Sequence, residues 1–517
     1  MEYRTDLIER SRRSWESAWR FRADRLRNKR FTYGDQWSDT VSIGNRTVRE
    51  DDYLREQGRL PLKNNLIRRL VRNVLGVFRD RYKAPVCSAR DAAENGRAVT
   101  MQKLLRCNAE VNRLAELYAR TMEEFLISGL AVHKKWYGRK GNRTDCWTDF
   151  VQPDNFFVDG HGRDFRGWDV SLVGEIHDMG FEELMSTFAA DALEAARLES
   201  LYGGRGDEWG DELWSGGREG AAGFLVPAVA GRCRVIEVWT REYRRRYRCH
   251  DRATGRCFKV DAADIGAVEA ENRRRRTEGR PPIDKRWTVD EEWRWYFLTP
   301  AGGVLRTGVS PYRHGSHPYV FKAYPFIDGE VHSFVSDVID QQKVTNRLIS
   351  MYDWILQASA KGVLLLPEGA LPEDTSLDDI ADEWSRFDGV IVFRPQAGQP
   401  VPQQISSKAA DIGITELLNI QMKMMEDISG VNGALQGKLD SGSMSGTLYS
   451  QQTRNSLSAL ADLMLSFDDF IREATAKDAV NIGQYYDAHR IARIAGDTAP
   501  LVADARFDSS QYDFGIN

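Results

Sequence analysis

The sequence contains two unusually long stretches in which apolar residues recur at helical spacing, and these limit the folds that the chain can adopt. The first covers residues 333–360, with a stripe formed by Phe334, Val338, Val344, Leu348, Tyr352 and Ile355. A helix of roughly 28 residues is about 40 Å long. The second runs from 447 to about 486, with a stripe formed by Leu457, Leu460, Met464, Phe467, Ile471 and Ala474. A helix of about 40 residues reaches roughly 60 Å, which exceeds the usual length in globular domains and is typical of elongated architectures.

Between the two long helices the pattern changes three times. Residues 362–406 predict a small α/β insert, with strands at 362–367 and 389–394 around an acidic helix at 374–383. A second helix is predicted over 407–429 from the spacing of its apolar residues. Residues 430–446 contain five glycines and three serines, which predicts a mobile loop because glycine makes a regular helix costly.

Residues 1–332 predict an α+β unit in which helices precede a sheet. One helix is predicted over residues 1–30, because Ile8, Trp15, Trp19 and Leu26 form a single stripe. Its apolar face is expected to dock on its own domain, or alternatively on a neighbouring subunit. Another helix is predicted over 97–130, followed by strands from 131–177, an exposed loop at about 203–223 and strands again from 233.

Charge and cysteine content exclude several classes of protein. The 72 basic side chains are balanced by 76 acidic ones, so the chain has no cationic excess for holding nucleic acid tightly, although it can still let DNA slide past. The arginine-rich stretches 244–248 and 273–276 predict solvated surface, with contact to acidic subunits or phosphate as the alternative. The six cysteines include no C-x-x-C pair and predict reduced thiols. Neither a signal peptide nor a membrane span is predicted, so we expect assembly in the cytosol without a membrane contact.

The sequence lacks the motifs of the common catalytic and metal sites. The nearest candidate for a phosphate-binding loop has Asn432 where the first glycine is required, and Leu439 where a serine or threonine would hold Mg²⁺. No H-E-x-x-H motif occurs, and His314 and His317 lie between prolines without a further metal-binding side chain nearby in sequence. The sequence therefore predicts a protein that is not an enzyme and that has no cofactor and no metal site.

Several short motifs occur in an order that resembles one known family. Gly34-Asp-Gln-Trp37 is similar to a G-[DE]-Q-W motif, Asn64-Asn-Leu-Ile67 to the block that follows it, and residues 151–159 to a v-x-P-x-x-v-x-x-D segment. Residues 337–346 are close to D-x-Q-x-x-x-N, and residues 429–442 to a glycine-rich segment that ends in Ser-Gly. Together these motifs, spread over most of residues 30–490, resemble the portal proteins of tailed bacteriophages, in the longer class typical of short-tailed phages.

This resemblance implies a portal fold with six consecutive parts. They are a wing at 1–332, a first stem helix at 333–361, a clip at 362–406, a second stem helix at 407–429, a tunnel loop at 430–446, and a long wing helix with the start of a helical crown at 447–517. The longer family members continue past a segment like residues 507–514, so either the crown is small or the sequence is part of a longer chain.

The resemblance also implies a function and a set of partners. Copies of the chain, twelve in the family, are expected to form a ring at one capsid vertex through which double-stranded DNA is packaged and ejected without sequence-specific recognition. The expected partners are the terminase large subunit, the head completion or tail adaptor proteins and the major capsid protein. The expected location is the virion, after assembly in the host cytoplasm. A capsid structural or scaffolding protein without a channel is the alternative.

Three parts of this fold carry candidate contact residues. Those of the tunnel loop, which would meet phosphate weakly, are Gln436, Lys438, Ser441, Ser443 and Ser445. Those of the stem channel are Lys343, Arg347 and Lys361. Those of the clip, whose residue types are favoured at interfaces, are Trp384, Arg386, Phe387 and Arg394. A plain linker is the alternative for the loop, and Trp384 and Phe387 could equally be buried within the clip.

Overall fold

The structure is a computed structural model that describes residues 3–82, 84–159, 164, 166–202, 221–227, 229–327, 329–361, 363–365, 376–385, 391, 403–405, 413–431, 458–496 and 511–516. The chain divides into two compact units. The larger takes its residues from Met1–Lys29, Leu70–Asp337 and Gly433–Asn517, and the smaller from Arg30–Arg69 and Val338–Asn432. Helices and strands are mixed, and the predicted α+β class is confirmed.

The α-helices of the described residues are α1 (Thr5–Ser17), α2 (Trp19–Tyr33), α3 (Glu50–Glu56), α4 (Leu66–Arg81), α5 (Asn95–Asn112), α6 (Leu114–Ser128), α7 (Phe181–Phe188), α8 (Ala192–Tyr202), α9 (Ala221–Leu225), α10 (Ile265–Thr277), α11 (Ile339–Lys361), α12 (Leu377–Ser385), α13 (Ile414–Ser429), α14 (Ala461–Tyr485) and α15 (Ala488–Ala495). Short 3₁₀ turns occur at Ala92–Glu94 and Ser336–Val338.

The β-strands are β1 (Thr40–Ile43), β2 (Arg46–Arg49), β3 (Pro85–Ala89), β4 (Leu130–Lys140), β5 (Arg143–Phe150), β6 (Phe156–Val158), β7 (Leu172–Met179), β8 (Cys233–Asp251), β9 (Arg256–Asp261), β10 (Ile283–Leu298), β11 (Val304–Val309), β12 (Tyr319–Ala323), β13 (Phe326–Ile327), β14 (Glu330–Val331), β15 (Val363–Leu365), β16 (Gln403–Ile405) and β17 (Tyr512–Ile516).

Two antiparallel sheets form most of the β structure of the larger unit. One has the strand order β11-β10-β8-β7-β6, with β9 also paired to β8, and the other has the order β12-β4-β5. The longest ladder joins β8 to β10 over the whole length of β10. A further pair joins β17 to β3, which brings the last described strand of the sequence against residues 85–89.

Helix α14 provides much of the core of the larger unit. Its Phe467 and Phe470 meet Phe78, Tyr118 and Phe125 in one aromatic cluster, with ring centroids 5.2–6.5 Å apart. Further along the helix its apolar side chains pack with α5 and β17. Rings of this size remove a large apolar area from water, at about 25 cal/mol per Å², so α14 is held firmly in place.

In the smaller unit, α11 packs with α13. Strand β15, directly after α11, pairs antiparallel with β16, from Val363 opposite Ile405 to Leu365 opposite Gln403. The hairpin β1–β2 and helix α3 belong to the same unit. The predicted strand 389–394 lies outside the described residues except for Ile391, which is not in a strand.

The prediction of one helix over residues 1–30 is wrong. Helix α1 ends at Ser17, Ala18 leaves the helical conformation, and α2 begins at Trp19. Trp15 is buried, but Trp19 is 57% exposed and Leu26 is 47% exposed. A stripe with a period of 3.6 residues stays on one face only while the helix is unbroken. Because the helix is interrupted at Ala18, Trp19 and Leu26 do not continue the buried face of α1.

Other predicted helices differ in their bounds. The helix expected over 97–130 is divided at Arg113, which adopts a left-handed conformation (φ 50°) between α5 and α6. Helix α11 begins at Ile339, after the 3₁₀ turn, rather than at 333. Of the helix predicted from 447, the described residues 458–459 are helical, the backbone turns at Leu460, and α14 then begins at Ala461. Residues 432–457, and most of the predicted loop at 203–223, lie outside the described residues.

Candidate functional site

The sequence motifs around Gln36, Asn65 and Gln342 converge in the smaller unit. Gln36 follows α2, Asn65 immediately precedes α4, and Gln342 lies in the first turn of α11. The side chains of Gln36 and Gln342 are buried, as is that of Asn346 one turn further along α11. Since a buried amide is stable only when it is hydrogen-bonded, these residue types indicate a polar network rather than an apolar core.

Gln342 is the centre of this network because all of its hydrogen-bonding capacity is used. Its Oε1 accepts from the backbone N–H groups of Leu66 at 3.0 Å and Ile67 at 3.3 Å. Its Nε2 donates to the carbonyl of Asn64 at 2.7 Å and to Oδ1 of Asn346 at 2.9 Å. The first N–H groups of a helix have no partner within that helix, so Gln342 completes the N-terminus of α4.

Asn346 and Gln36 extend the network. Asn346 Nδ2 donates to Gln36 Oε1 at 2.8 Å, and Asn346 Oδ1 also accepts from the Asn64 N–H at 3.1 Å. Gln36 Nε2 in turn donates to the Phe31 carbonyl and to Asn65 Oδ1, each at 3.0 Å. The three motifs are therefore joined side chain to side chain, which explains why they contain amides at these positions.

Asn65 and Gly34 show why the local sequence takes this shape. Asn65 is the N-cap of α4, since its Oδ1 accepts from the N–H of Arg68 at 3.0 Å. Gly34 has φ +99°, a backbone conformation that a side chain would strain, and its carbonyl accepts from Lys63 Nζ at 2.6 Å. The turn at Gly34 thus directs Gln36 toward Asn65.

Two of the predicted stem-channel cations, Lys343 and Arg347, are paired with carboxylates of the same unit. Lys343 Nζ lies 2.6 Å from Asp39 Oδ2 and 3.7 Å from Glu50 Oε2. Arg347 Nε donates to Glu50 Oε1 at 3.0 Å. These pairs offset the positive charge of both residues, so they do not present an uncompensated cationic surface for DNA.

The structure describes only some of the remaining candidate residues. Lys361 ends α11, and its side chain is outside the described residues. Trp384 lies half-buried on α12, which leaves both interpretations of this residue open. The other clip candidates and all the tunnel-loop candidates, namely Arg386, Phe387, Arg394, Gln436, Lys438, Ser441, Ser443 and Ser445, lie outside the described residues.

Helix α13 has a second apolar stripe that the described residues leave about half exposed. Its Ile414 and Met425 are buried, whereas four other apolar side chains are 45–48% exposed. The exposed four are Leu417, Ile420, Met424 and Ile428. Their spacing of three or four residues places them on one stripe. Helix α11 also exposes apolar side chains, namely Val344, Met351, Tyr352, Trp354 and Leu356.

In the larger unit, Glu175, His177 and Glu237 lie close enough together to hold a metal ion, and among the described residues they form the one such group. Lys134, however, is paired with the Glu237 carboxylate, and His177 Nε2 lies 2.8 Å from Glu237 Oε2. Burial raises the pKa of Glu237, but Lys134 and His177 outweigh it and hold that pKa well below its usual range. Lys134 thus already supplies a positive charge here. The sequence signal for this cluster is weak, because only Glu175 and His177 are close in sequence.

The arginine-rich stretches are not free loops. Arg244 and Arg246 lie on β8 and pair with carboxylates of neighbouring strands, with Arg246 Nε 2.6 Å from Asp261 Oδ1 and Arg244 Nε 3.2 Å from Glu292 Oε1. Arg275 on α10 pairs with Asp251, with Nη1 2.8 Å from Oδ1. Much of the basic charge is therefore compensated within the chain.

Comparison with known families identifies the class of protein. A family model described as phage P22-like portal protein matches residues 8–500 of the 517 residues. Comparison with curated proteins finds no match. The match to the family model confirms the resemblance inferred from the motifs. It defines a structural protein of the phage virion, located in the head-to-tail connector. The chain belongs to the P22-like portal protein family.

The buried amide network, the ion pairs and the exposed stripe therefore belong to a phage portal protein. The family is structural rather than enzymatic. Within the described part of the chain, no helix combines the length and the apolar character that crossing a membrane requires.

Proposed function

We propose that copies of this chain close into a ring at one capsid vertex, and that double-stranded DNA passes through the centre of the ring during packaging and ejection. Membership of the P22-like portal family supports the proposal. The observation that carries it is the apolar stripe on α13, which is about half exposed to water within the described part of the chain. Apolar stripes of this regularity mark a surface that another protein covers.

The stripe fits a ring because the smaller unit leaves apolar side chains half-exposed on both α11 and α13. A head-to-tail contact, in which one surface of a copy meets a different surface of the next, closes into a ring when the rotation between copies is suitable. Burying four half-exposed Leu, Ile and Met side chains stabilises such a contact by a few kcal/mol, at roughly 25 cal/mol per Å² of apolar area. In a closed ring this gain is repeated at every interface.

We assign the parts of the portal fold as the sequence suggests. Residues 1–332 form the wing, 333–361 and 407–429 the two stem helices, 362–406 the clip, 430–446 the tunnel loop, and 447–517 the long wing helix with the start of the crown. Helices α11 and α13 fall within the two stem segments, and the pair β15–β16 falls within the clip segment. The amide network around Gln342 then fixes the beginning of the first stem helix.

We attribute the contact with DNA to the tunnel loop rather than to Lys343 and Arg347. Both of these cations are paired with Asp39 and Glu50, so they add little net positive charge. Glycine and serine in the loop, with Lys438, would touch phosphates weakly and release them quickly, which suits sliding. The clip is the proposed docking surface for the terminase large subunit and the head completion or tail adaptor proteins, and the wing is the proposed contact with the major capsid protein.

The double variant Leu417→Glu/Met424→Glu tests the ring interface. We expect it to remain folded but to lose assembly, because two carboxylates would have to be buried without partners in every contact between copies. Native mass spectrometry should show a multi-subunit species for the unmodified protein and a monomer for the variant, with circular dichroism as the check on folding.

The matched control is Leu465→Glu/Trp19→Glu, which places the same two charges at exposed apolar positions of the larger unit. Leu465 is 61% exposed and Trp19 is 57% exposed. The control should assemble as the unmodified protein does. Unchanged assembly of the Leu417/Met424 variant would contradict the assignment of α13 to the ring contact.

A further inference from the structure

The distal part of β8, β9 and β10 forms a small three-stranded layer with one covered face and one open face. Helix α10 covers one face, where Cys249, Val268 and Ile283 form a small core. Because side chains alternate along a strand, the residues between these buried positions point to the opposite side. That open face carries Arg244, Arg246, Arg248, His250, Cys257, Lys259, Asp261, Asp284, Arg286, Thr288, Asp290 and Glu292.

Near the middle of the open face, positive and negative charges are matched. Lys259 Nζ lies 2.7 Å from Asp290 Oδ2. Arg246 Nη2 lies 2.9 Å from Glu292 Oε2. In this region the face needs no external partner.

Toward the tip the matching fails. Arg248 on β8 lies directly opposite Arg286 on β10, and Lys259 on β9, which is itself paired with Asp290, lies on the other side of Arg248. Arg248 and Arg286 are exposed, and neither guanidinium group forms an ion pair or a hydrogen bond within the described residues. The nearby carboxylate of Asp284 is already engaged by Arg252, with Nε 2.6 Å from Oδ2. Like charges directly opposite each other destabilise a sheet, so this pair indicates an anion supplied from elsewhere.

A cavity of about 480 Å³ lies at the same place. The residues that line it include Arg248, Arg286, His250, Cys257 and Thr288. Two neighbouring guanidinium groups offer several N–H donors in fixed planes, which matches the geometry of carboxylate oxygens. The unmatched arginines thus form part of the wall of the cavity.

The unpaired edge of β10 indicates which kind of molecule carries the negative charge. Strand β11 pairs with β10 only from Arg294 to Leu298, and β8 occupies the opposite edge along the whole strand. Over Asp284–Glu292 the outer edge of β10 has no paired strand within the described residues. An extended peptide can add to such an edge through backbone hydrogen bonds, at a strand spacing of about 4.8 Å. Its side chains on the open face would then lie beside Arg286 and within reach of Arg248.

We propose that an extended, carboxylate-rich segment of a partner protein adds to the free edge of β10 and places its acidic side chains on Arg248 and Arg286. Double-stranded DNA fits this site less well. Binding to duplex DNA needs several aligned, unpaired cations, whereas here two arginines are flanked by Asp284, Asp290 and Glu292. The inference does not depend on the proposed ring.

A synthetic peptide of five Glu-Thr repeats, blocked at both ends, serves as the probe, because alternate glutamates all face one side of an added strand. Binding to the full-length protein is measured by fluorescence anisotropy. We expect Arg248→Gln/Arg286→Gln to weaken binding at least tenfold, since two charge-assisted contacts are lost. The control Arg106→Gln/Arg120→Gln removes two exposed arginines of α5 and α6 and should change binding less than twofold.

A second readout locates the peptide. Cys257 is exposed and lines the cavity, so bound peptide should slow its alkylation by iodoacetamide, as measured by mass spectrometry of the digested protein. Failure to bind at millimolar peptide, equal binding of a Gln-Thr peptide, or binding that is insensitive to the Arg248/Arg286 change would each overturn the proposal. Tighter binding of a 20-base-pair duplex with the same arginine dependence would overturn it in favour of a phosphate site.

Discussion

Replacing Gln342 with alanine is expected to destabilise the smaller unit by about 2–4 kcal/mol, because four hydrogen bonds are lost at once. The Ile67 N–H is left without a partner, whereas the Leu66 N–H keeps the Asn64 carbonyl at 2.9 Å and Asn346 Oδ1 keeps the Asn64 N–H at 3.1 Å. An unsatisfied buried polar group costs about 1–3 kcal/mol, and some of this loss is recovered by water or by small movements. Amide hydrogen exchange at Leu66 and Ile67 measures the effect, because it reports the local opening free energy of the start of α4.

The neighbouring change Gln341→Ala is the matched control. It alters the same turn of α11 by the same truncation, but the Gln341 side chain makes no hydrogen bond within the described residues. We expect exchange at Leu66 and Ile67 to accelerate strongly in Gln342→Ala and hardly at all in Gln341→Ala. Equal exchange in the two variants would show that Gln342 does not hold the α4 terminus.

Replacing Asp478 with alanine is expected to destabilise the larger unit by about 3–5 kcal/mol, the usual cost of leaving one charge of a buried pair alone. Lys135 Nζ lies 2.5 Å from Asp478 Oδ2, and both side chains are buried between β4 and α14. Lys135 also donates to Thr148 Oγ1 at 2.8 Å, which cannot replace the lost negative charge. The opening free energy of the α14 amides, measured by hydrogen exchange, reports the loss.

The effect of this change depends on pH in a defined direction. Burial lowers the pKa of Lys135, and the Asp478 carboxylate raises it. Without Asp478 the pKa of Lys135 falls further, so the folded state binds fewer protons than the unfolded chain over a wider pH range. The free energy of unfolding of the variant then rises as the pH increases toward the ordinary lysine pKa of about 10.4. The difference in unfolding free energy between the variant and the unmodified protein therefore becomes smaller at high pH.

Two further variants separate a lost charge pair from a general disturbance of α14. Asp469→Ala removes a half-exposed carboxylate on the same helix and should cost less than about 1 kcal/mol. The double variant Lys135→Met/Asp478→Leu removes both charges and should recover most of the stability. If the double variant were as unstable as Asp478→Ala, the uncompensated charge would not be the cause.

The sequence identified the motifs of the amide network but not what joins them. The family-like patterns contain Gln36, Asn65 and Gln342. The structure shows that their side chains are joined by hydrogen bonds at the start of α4. The hydrogen bonds of Gln342 and Asn346 connect positions hundreds of residues apart, and no local pattern encodes such pairings. The same holds for the Lys135–Asp478 pair.

The errors of the sequence-based predictions have the same origin. Periodicity placed Trp19 and Leu26 on a buried stripe, but a single break at Ala18 moved them to the surface. The channel role of Lys343 and Arg347 stays a prediction, but no sequence pattern indicated the carboxylates with which they pair. Their partners Asp39 and Glu50 come from the beginning of the sequence, so their neutralisation could be seen only in the folded chain.

Electron microscopy of the purified full-length protein tests the central claim most directly. The account predicts closed rings with a central hole, in which the α13 stripe of each copy is covered by its neighbour. Discrete particles without a hole, or rings in which Leu417 and Met424 remain open to solvent, would contradict it.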